Sequence, residues 1–376
     1  MALRFLLLAL VTALLVSCAR SIYQDPATDN LVIYPSPPDT ARIQFLTHIS
    51  SSRDVTGNRK SFSTFILGEK EDIPVNKPYG IAATKGKMYV CDTRIHGLDI
   101  IDMQKNSFQQ FIPSGRGELK VPINCFIDSQ GYLYVADAER KQIVIFDENL
   151  KYMSSFGEGE NFKPTDVFVN NGKIWVSNIA GHQVNVFSND TSYSLLNSFP
   201  EVDKSVEGCL FSPTNIFVTD SNVYVTDFGD FKIKIYSQEG VYKRSIGSYG
   251  QGLGQFVRPK GIAVDNESNL FVVDAGFENT QIFSKQGELL MFFGGSYKGP
   301  GDMWLPAKVI LDYDNMKYLE KYVDPGFKLK YLIYVTNQFG PDKINIYGAV
   351  EPQKTNKKTS KTGKKNKSLK TGPMFN

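Results

Sequence analysis

The sequence contains little histidine and little cysteine. There are three His and four Cys in 376 residues, and no cysteines show the CxxC, CxxCH or zinc-ligand spacing. Covalent haem and a structural zinc site are therefore not expected. The chain also lacks a Gly-x-Ser-x-Gly nucleophile motif and a phosphate-binding loop. These absences argue against the hydrolases and nucleotide-binding proteins that use such motifs.

Long apolar runs are missing too, apart from one at the N-terminus. Residues 5–16 are almost wholly apolar, but a membrane-spanning helix needs about 20 such residues. The run ends in Leu15-Val16-Ser17-Cys18, which resembles the lipobox of bacterial lipoproteins. This resemblance implies a signal peptide over residues 1–17 and a lipid on the Cys18 thiol. An ordinary cleaved signal peptide is the alternative.

The residue after Cys18 is alanine and not aspartate. In lipoproteins of bacteria with two membranes, this resembles the outer-membrane default and not the inner-membrane retention signal. We therefore expect a lipid-anchored protein of the bacterial cell envelope, at the outer membrane where the cell has both.

A proline repeat organises the rest of the chain. Each proline precedes an apolar segment, a turn, an apolar-aromatic strand ending in Asp or Asn, and a further strand. The prolines are Pro78, Pro122, Pro164, Pro213, Pro259 and Pro306, spaced by 44, 42, 49, 46 and 47 residues. A strand-rich period in the forties is typical of propeller blades. The sequence therefore predicts an all-β fold, a six-bladed β-propeller over residues 41–350.

The sixth blade lacks an outer strand of its own, because the chain passes directly from residues 343–350 into its tail. The alternating segment ARIQFLTHIS, residues 41–50, belongs to no blade. We expect this N-terminal segment to supply the missing strand and to close the ring, since closure removes an open sheet edge. Residues 62–67, FSTFIL, are the second candidate.

Two low-complexity segments flank the propeller. Residues 18–40 are rich in Pro, Asp and Ser and are predicted to be an extended linker. Residues 351–376 form a basic tail, with eight Lys and no Asp or Glu after residue 352, so the formal charge of +3 arises in the tail. We expect the tail to be disordered, with either a weak electrostatic role or none. It has no interleaved aromatic residues, so nucleic-acid binding is not expected.

The repeated phrases resemble NHL repeats, whose consensus runs Pro-x-Gly-Ile-Ala-Val, a Val-x-Asp strand end and Asn-His-Arg-Ile before an aromatic residue. The phrase RPKGIAVDNESNLFVVD at residues 258–274 is the most similar, and His96 and His182 retain the histidine of the motif. Blades two, four and five replace it with Arg140-Lys141, Phe231-Lys232 and Asn279. The resemblance covers residues 76–348 and implies an NHL-type propeller. NHL propellers serve as enzymes, RNA binders and protein scaffolds, so it does not specify a function.

The inner strand of a propeller blade lines the axis, so we expect the residue two positions after each proline to face the central channel. These residues are Gly80, Asn124, Asp166, Asn215, Gly261 and Lys308. Asn124, Asp166 and Asn215 form an oxygen-rich trio that leaves room for Ca²⁺, which resembles in type the metal sites of propeller lactonases. Alternatively, Lys308 neutralises Asp166 across the funnel and the trio is a polar plug. No other cofactor is expected.

A second polar set ends the second strand of each blade. Its members are Asp92, Asp137, Asn178, Asp227, Asp274 and Asn337. Each comes directly before a turn, where an Asx side chain can bond the backbone two residues on. One per blade, they are predicted to be too far apart to share an ion.

Blade six carries an insertion. From proline to the strand-ending Asp or Asn, five blades take 14 or 15 residues, whereas blade six takes 31. The excess, residues 312–330, holds four aromatic residues among charges: Tyr313, Tyr318, Tyr322 and Phe327. We expect this loop to leave the compact path and to form part of a partner-binding surface. Capping one end of the channel is the alternative.

These patterns favour a monomeric, membrane-anchored and non-catalytic binding scaffold for a protein or a cell-envelope ligand. The alternative is a metal-dependent, lactonase- or lyase-like enzyme that uses Asn124, Asp166 and Asn215 in the channel. Propeller amidating lyases place several histidines around the axis, and three histidines cannot furnish such a site.

Overall fold

Six antiparallel β-sheets follow one another along the chain and close into a ring, the six-bladed β-propeller that the proline repeat predicts. The structure is a computed structural model that describes residues 31–57, 71–157, 159–203 and 205–353. Cys18, the second closing-strand candidate at residues 62–67 and the tail from residue 354 lie outside these ranges.

Blades one to five have four strands each, paired in chain order. Blade one consists of β3 (Pro78–Thr84), β4 (Lys87–Asp92), β5 (Gly97–Asp102) and β6 (Ser107–Phe111). Blade two consists of β7 (Pro122–Ile127), β8 (Leu133–Asp137), β9 (Gln142–Phe146) and β10 (Tyr152–Phe156). Blade three consists of β11 (Pro164–Asn170), β12 (Lys173–Asn178), β13 (Gln183–Ser188) and β14 (Leu195–Phe199).

The remaining blades repeat this plan, and every predicted blade proline begins an inner strand. Blade four consists of β15 (Pro213–Val218), β16 (Val223–Asp227), β17 (Lys232–Tyr236) and β18 (Tyr242–Ile246). Blade five consists of β19 (Pro259–Val264), β20 (Leu270–Asp274), β21 (Asn279–Phe283) and β22 (Leu289–Gly294). Blade six contains β23 (Pro306–Asp312), β24 (Phe327–Asn337) and β25 (Ile344–Pro352), completed by β1 (Ile33–Tyr34) and β2 (Ile43–Ile49).

Helical segments in the described residues are short. They are α1 (Ser52–Thr56), α2 (Met316–Leu319) and two 3₁₀ turns, Gly115–Gly117 and Glu320–Tyr322. None of the helices in the described ranges is long and apolar enough to cross a membrane.

The closing strand is confirmed. β2 pairs with β25 in antiparallel register, with Phe45 opposite Tyr347, and so completes blade six from the N-terminal side. Its apolar side chains Ile43, Leu46 and Ile49 are buried. The predicted linker extends this sheet further, because β1 pairs with β2 as a fifth strand. At the other end β25 continues to Pro352, two residues beyond the predicted limit of the propeller.

The hydrophobic core is divided among the six interfaces between neighbouring blades. Each buried cluster joins side chains of two adjacent blades, and the cluster between blades six and one closes the ring. A blade is therefore covered on both faces. This explains why second strands such as β8, buried at all five positions, read as continuous apolar runs without alternation.

The strand order gives the ring two distinct faces. The turns between second and third strands and the loops that join consecutive blades lie on one face, at the end where the inner strands begin; we call this the top face. The loops between first and second strands lie on the opposite, bottom face. The blade-six insertion, between β23 and β24, is therefore on the bottom face.

Candidate functional site in the central channel

The second residue after each blade proline converges on the propeller axis, as predicted. In all six inner strands a register shift follows the proline, and such a bulge redirects the side chains after it. Neighbouring inner strands approach closely at this level. A Cβ on Gly80 would lie 2.4 Å from the Asn124 Cα, and one on Gly261 would lie 2.5 Å from the Lys308 Cα. Glycine is therefore required at both positions.

A lysine–aspartate pair crosses the channel. The Lys308 Nζ of blade six lies 2.5 Å from the Asp166 Oδ2 of the opposite blade three, and both side chains are buried. Asp166 also accepts hydrogen bonds from the backbone N–H groups of Val167 (3.0 Å) and Ile216 (3.1 Å). The Asn215 Nδ2 donates to the same carboxylate at 3.2 Å. Lys308 thus neutralises Asp166 across the channel, and four donors hold the carboxylate.

This donor set does not fit Ca²⁺ as it stands. The carbonyl oxygens of Asn124 and Asn215 are buried and have no hydrogen-bond donor, and both are ligand types that Ca²⁺ accepts. However, Ca²⁺ takes roughly six to eight oxygen ligands, and the Lys308 ammonium already occupies the cationic position beside Asp166. Within the described ranges no three His, Cys, Asp or Glu side chains cluster as a metal site.

One residue nearer the top face, a second ring surrounds the mouth of the channel. It consists of the residues that directly follow the blade prolines: Tyr79, Ile123, Thr165, Thr214, Lys260 and Ala307. Tyr79, Ile123, Thr165 and Thr214 line a cavity of about 330 Å³. The Lys260 Nζ lies 5.0 Å from the centre of the Tyr79 ring, so the lysine of blade five reaches past blade six toward blade one.

Three positively charged side chains, Lys260, Arg258 and Lys77, influence one another near this mouth. Burial, together with the positive charges of Arg258 and Lys77, lowers the pKa of Lys260 to about 8. Burial and the negative charge of Asp166 raise the pKa of Tyr79 to about 12. Sequence reasoning missed both residues because it considered only the second position after each proline. The available signal was a lysine directly after Pro259, where the other blades have Tyr, Ile, Thr or Ala.

The strand-ending Asp and Asn residues have the structural role predicted for them. The Asp92 carboxylate accepts from the backbone N–H groups of Asn76, Lys77 and Arg94, and Asp137 and Asp274 bind equivalent groups in their blades. Each side chain thereby fixes the loop that precedes its own blade. The six positions are committed to turns.

Two of the three histidines join neighbouring blades. The His96 Nδ1 bonds the Lys120 carbonyl, and the His182 Nδ1 lies 2.6 Å from the Phe211 carbonyl. In blade five the equivalent residue is Glu278, one position before the expected Asn279: its φ of 55° matches the 54–55° of the two histidines. Its carboxylate accepts from the Leu305 N–H. The third histidine, His48 on the closing strand, lies 3.5 Å from Asp342.

The aromatic residues of the insertion are mostly packed against the protein itself. The Tyr313 ring lies 4.9 Å from the Tyr331 ring in a tilted arrangement, and Tyr318 packs on the cluster between blades six and one. Phe327 begins β24 and is half-buried. Tyr322 is 40% exposed.

Hydrogen bonds hold the insertion in place along the closing strand. The Gln44 side chain donates to the Tyr322 carbonyl (2.9 Å) and accepts from the Asp324 N–H (3.0 Å). Asn315 accepts from the Gly86 N–H of blade one at 2.5 Å. The loop therefore lies against the bottom of blades six and one, the face from which we expected it to project.

The other sites are structural. A groove of about 750 Å³ runs beside blade three, but its polar floor is already paired: Asn178 donates to Asn185, which donates to Ser198. Cys91, Cys125 and Cys209 are buried.

Comparisons with known proteins agree on the fold. A family described as a 6-bladed beta-propeller (DUF5128) matches residues 204–345, which cover blades four and five and the first two strands of blade six. No curated protein matches the chain.

Several solved structures are similar at low identity. A virginiamycin B lyase from Staphylococcus aureus is 16% identical, with a TM-score of 0.51 over 73% of this chain and 95% of that one. A protein of unknown function from Bacteroides thetaiotaomicron is 15% identical, with a TM-score of 0.55 over 82% and 76%. A gluconolactonase from Xanthomonas campestris is 12% identical, with a TM-score of 0.55 over 87% and 96%. At these identities the likeness shows the propeller fold alone.

Proposed function

We propose that the protein is a non-catalytic binding scaffold, exported and anchored by a lipid on Cys18 to the bacterial cell envelope, with the outer membrane favoured. Its ligand is a protein or a component of the envelope. The N-terminal sequence supports the anchor, and the top face supports the binding role.

The observation that carries this proposal is the group of exposed aromatic side chains on the top face of blades four to six. Tyr249 is 66% exposed, Trp304 is 49% exposed and Phe339 is 48% exposed. Trp304 stacks on Tyr297 at 6.2 Å, and the Lys77 ammonium lies over the Phe339 ring at 5.6 Å. Exposed aromatic surface is unfavourable in water, and such surface marks binding sites.

The channel itself favours a scaffold over an enzyme. Its one ring carboxylate, Asp166, already binds Lys308, and a general acid or base needs a free lone pair or an exchangeable proton near the substrate. Four donors, from Lys308, Asn215, Val167 and Ile216, already bind the Asp166 carboxylate. We therefore assign the Asp166–Lys308 pair to ring closure and not to chemistry.

The anchor is tested by changing Cys18→Ala in cells and separating membranes from the soluble fraction. We expect the wild type in the membrane fraction and the variant in the soluble fraction. Membrane retention of the variant would remove lipidation from the proposal.

The binding face is tested by capture from envelope extracts with the full-length protein. We expect the double change Trp304→Ala and Phe339→Ala to lose a partner that the wild type captures. Tyr322→Ala is the matched control, because it removes the exposed aromatic residue of the insertion on the bottom face. Loss with Tyr322→Ala alone would instead assign binding to the predicted residues Tyr313, Tyr318, Tyr322 and Phe327.

The second candidate function is a metal-dependent, lactonase- or lyase-like enzyme. The two unpaired amide oxygens of Asn124 and Asn215 favour it, and the similar structures include a lyase and a gluconolactonase. A calcium titration of the purified protein by calorimetry separates the two candidates. Saturable binding that Asp166→Asn abolishes would favour the enzyme, and the absence of heat favours the scaffold.

A further inference from the structure

Three lysines are buried in the described part of the chain, and they differ in their partners. Lys308 pairs with Asp166. Lys234 lies 2.8 Å from Asp227 and 2.9 Å from Asp230. Lys260 is only 9% exposed, yet it makes no ion pair and its ammonium donates no hydrogen bond to any described residue. Its ammonium lies over the face of the Tyr79 ring.

Burial removes part of the hydration of the Lys260 ammonium, and no acceptor among the described residues replaces it. Arg258 and Lys77 are both positively charged and repel the Lys260 ammonium, which makes its charged form less favourable. Glu139 and Lys163 line the cavity beside Tyr79, and Glu139 forms no ion pair with Lys260. The Lys260 ammonium therefore has no negatively charged partner among the described residues.

The surroundings offer a second donor. The Tyr79 hydroxyl has no hydrogen-bond partner among the described residues, and its raised pKa keeps it protonated near neutral pH. The ammonium and the phenol therefore lie together at one mouth, both able to donate. The cavity that Tyr79 lines, about 330 Å³, is at the small end of the range for small-molecule sites.

We propose that the top mouth of the channel binds a small molecule through an anionic oxygen group, a carboxylate or a phosphate, that pairs with Lys260. This rests on the proposed binding function and adds the chemical class of one ligand. An oxyanion there would replace the lost hydration of Lys260 with a charge-assisted hydrogen bond. It would also offset the repulsion among Lys260, Arg258 and Lys77.

The test is calorimetric titration of the purified full-length protein with inorganic phosphate and, separately, with citrate at matched ionic strength. We expect saturable binding of at least one probe. Lys260→Met should weaken it about tenfold or more, which corresponds to about 1.4 kcal/mol. Lys285→Met removes the same charge from an exposed turn of blade five and should bind like the wild type. Tyr79→Phe should weaken binding by a smaller factor.

The two probes separate the possible ligands. Binding of phosphate alone assigns a phosphate group, and binding of citrate alone assigns a carboxylate. Equal binding by the wild type and Lys260→Met, or no saturable binding of either probe, would overturn the inference. Melting temperatures verify that the Lys260→Met protein is folded. Because methionine has a similar size and carries no charge, this variant should be at least as stable as the wild type. Partner capture, which we assign to Trp304 and Phe339, is measured in a separate experiment. The proposal of partner binding and the proposal of anion binding can therefore each fail without the other.

Discussion

At the residue scale, the axis of the ring depends on charges that compensate each other. Asp166 and Lys308 come from opposite blades, 142 positions apart in the sequence, and their hydrogen bonds tie three inner strands together. Removing one partner leaves the other as a buried, uncompensated charge, which is more harmful than removing both.

We therefore expect Lys308→Met to lower the free energy of unfolding by about 3–5 kcal/mol. The double variant Lys308→Met with Asp166→Asn should recover much of that loss. Denaturant unfolding measures both. The exposed pair Lys328–Glu351, 3.1 Å apart, provides the control, since breaking a surface pair changes stability by less than about 1 kcal/mol. A Lys308→Met protein as stable as Lys328→Met would refute this account of the axis.

In blade one, by contrast, the Asp99 carboxyl group lies beside a second acidic group and not beside a lysine. Burial and the neighbouring carboxylate of Asp92 raise the pKa of Asp99 to about 8, and its Oδ2 is buried without a partner. The equivalent positions carry Asn185 in blade three, which accepts from Asn178, and Lys234 in blade four, which pairs with Asp227. Only in blade one do two carboxyl groups face each other at this level in the described residues.

The pH dependence of stability follows from that shift. An acid with a higher pKa in the folded state binds its proton more tightly when folded, so its contribution is favourable below the unfolded pKa and is lost as the pH rises from about 4 to about 8. Asp99→Asn has no proton to lose. It should be more stable than the wild type by about 1–3 kcal/mol at pH 9 and similar at pH 4. Urea unfolding at both values checks this, and an equal difference at the two pH values would contradict it.

At the element scale, the closing strand was predictable because blades can be counted. Five repeats each supplied four strands and the sixth supplied three, so the spare alternating segment at residues 41–50 had one place to go. The two-residue strand β1 was not predictable, since Ile33 and Tyr34 lie among prolines and show no alternation. It depends on tertiary contacts, among them the Tyr34 hydroxyl, which donates to the Gly301 carbonyl at 2.9 Å.

Removing the closing strand should open the ring. Deletion of residues 31–50 would expose the β25 edge and its apolar neighbours, and we expect a loss of several kcal/mol together with a tendency to associate. The point variant Ile43→Ala should lose about 2–4 kcal/mol by leaving a cavity. Thermal melting and light scattering measure these effects. Deleting residues 31–34 alone is the control and should change the melting temperature less; a deletion of 31–50 that melts like the wild type would disprove closure by β2.

The insertion shows where sequence reasoning ended. Its length and composition indicated an excursion, but whether Tyr318 faces solvent or the cluster between blades depends on the contacts of α2 with blade one. Such contacts join residues more than 200 positions apart, for example Gly86 and Asn315. Aromatic content alone does not distinguish a binding loop from a packed one.

At the scale of the whole molecule, the candidate site arises from the meeting of distant blades. The ring of second residues was predictable from the repeat, and so was the alternative in which Lys308 neutralises Asp166. The role of Lys260 could not be predicted from the repeat, because it depends on which side chains blades one and six place beside this lysine. A lysine in a strand is ordinary in sequence, and its lack of a counter-ion is visible only in three dimensions.

The basic tail allows a further prediction at this scale. Residues 354–376 hold eight lysines and no acidic residue, so their removal should leave the melting temperature unchanged and reduce adhesion to anionic vesicles. The difference should vanish as salt is raised, because screening acts over about 10 Å at 0.1 M ionic strength. Vesicle co-sedimentation at two salt concentrations measures it. Equal adhesion with and without the tail would assign the tail no role.

The central claim is that the top face of a lipid-anchored propeller binds the ligand. Site-specific photo-crosslinking in intact membranes tests it most directly, with the photoreactive residue placed at Trp304 on the top face or at Tyr322 on the bottom. The account predicts a discrete crosslinked product from position 304 and none from position 322. Crosslinking from position 322 alone would contradict it and return the binding site to the blade-six insertion.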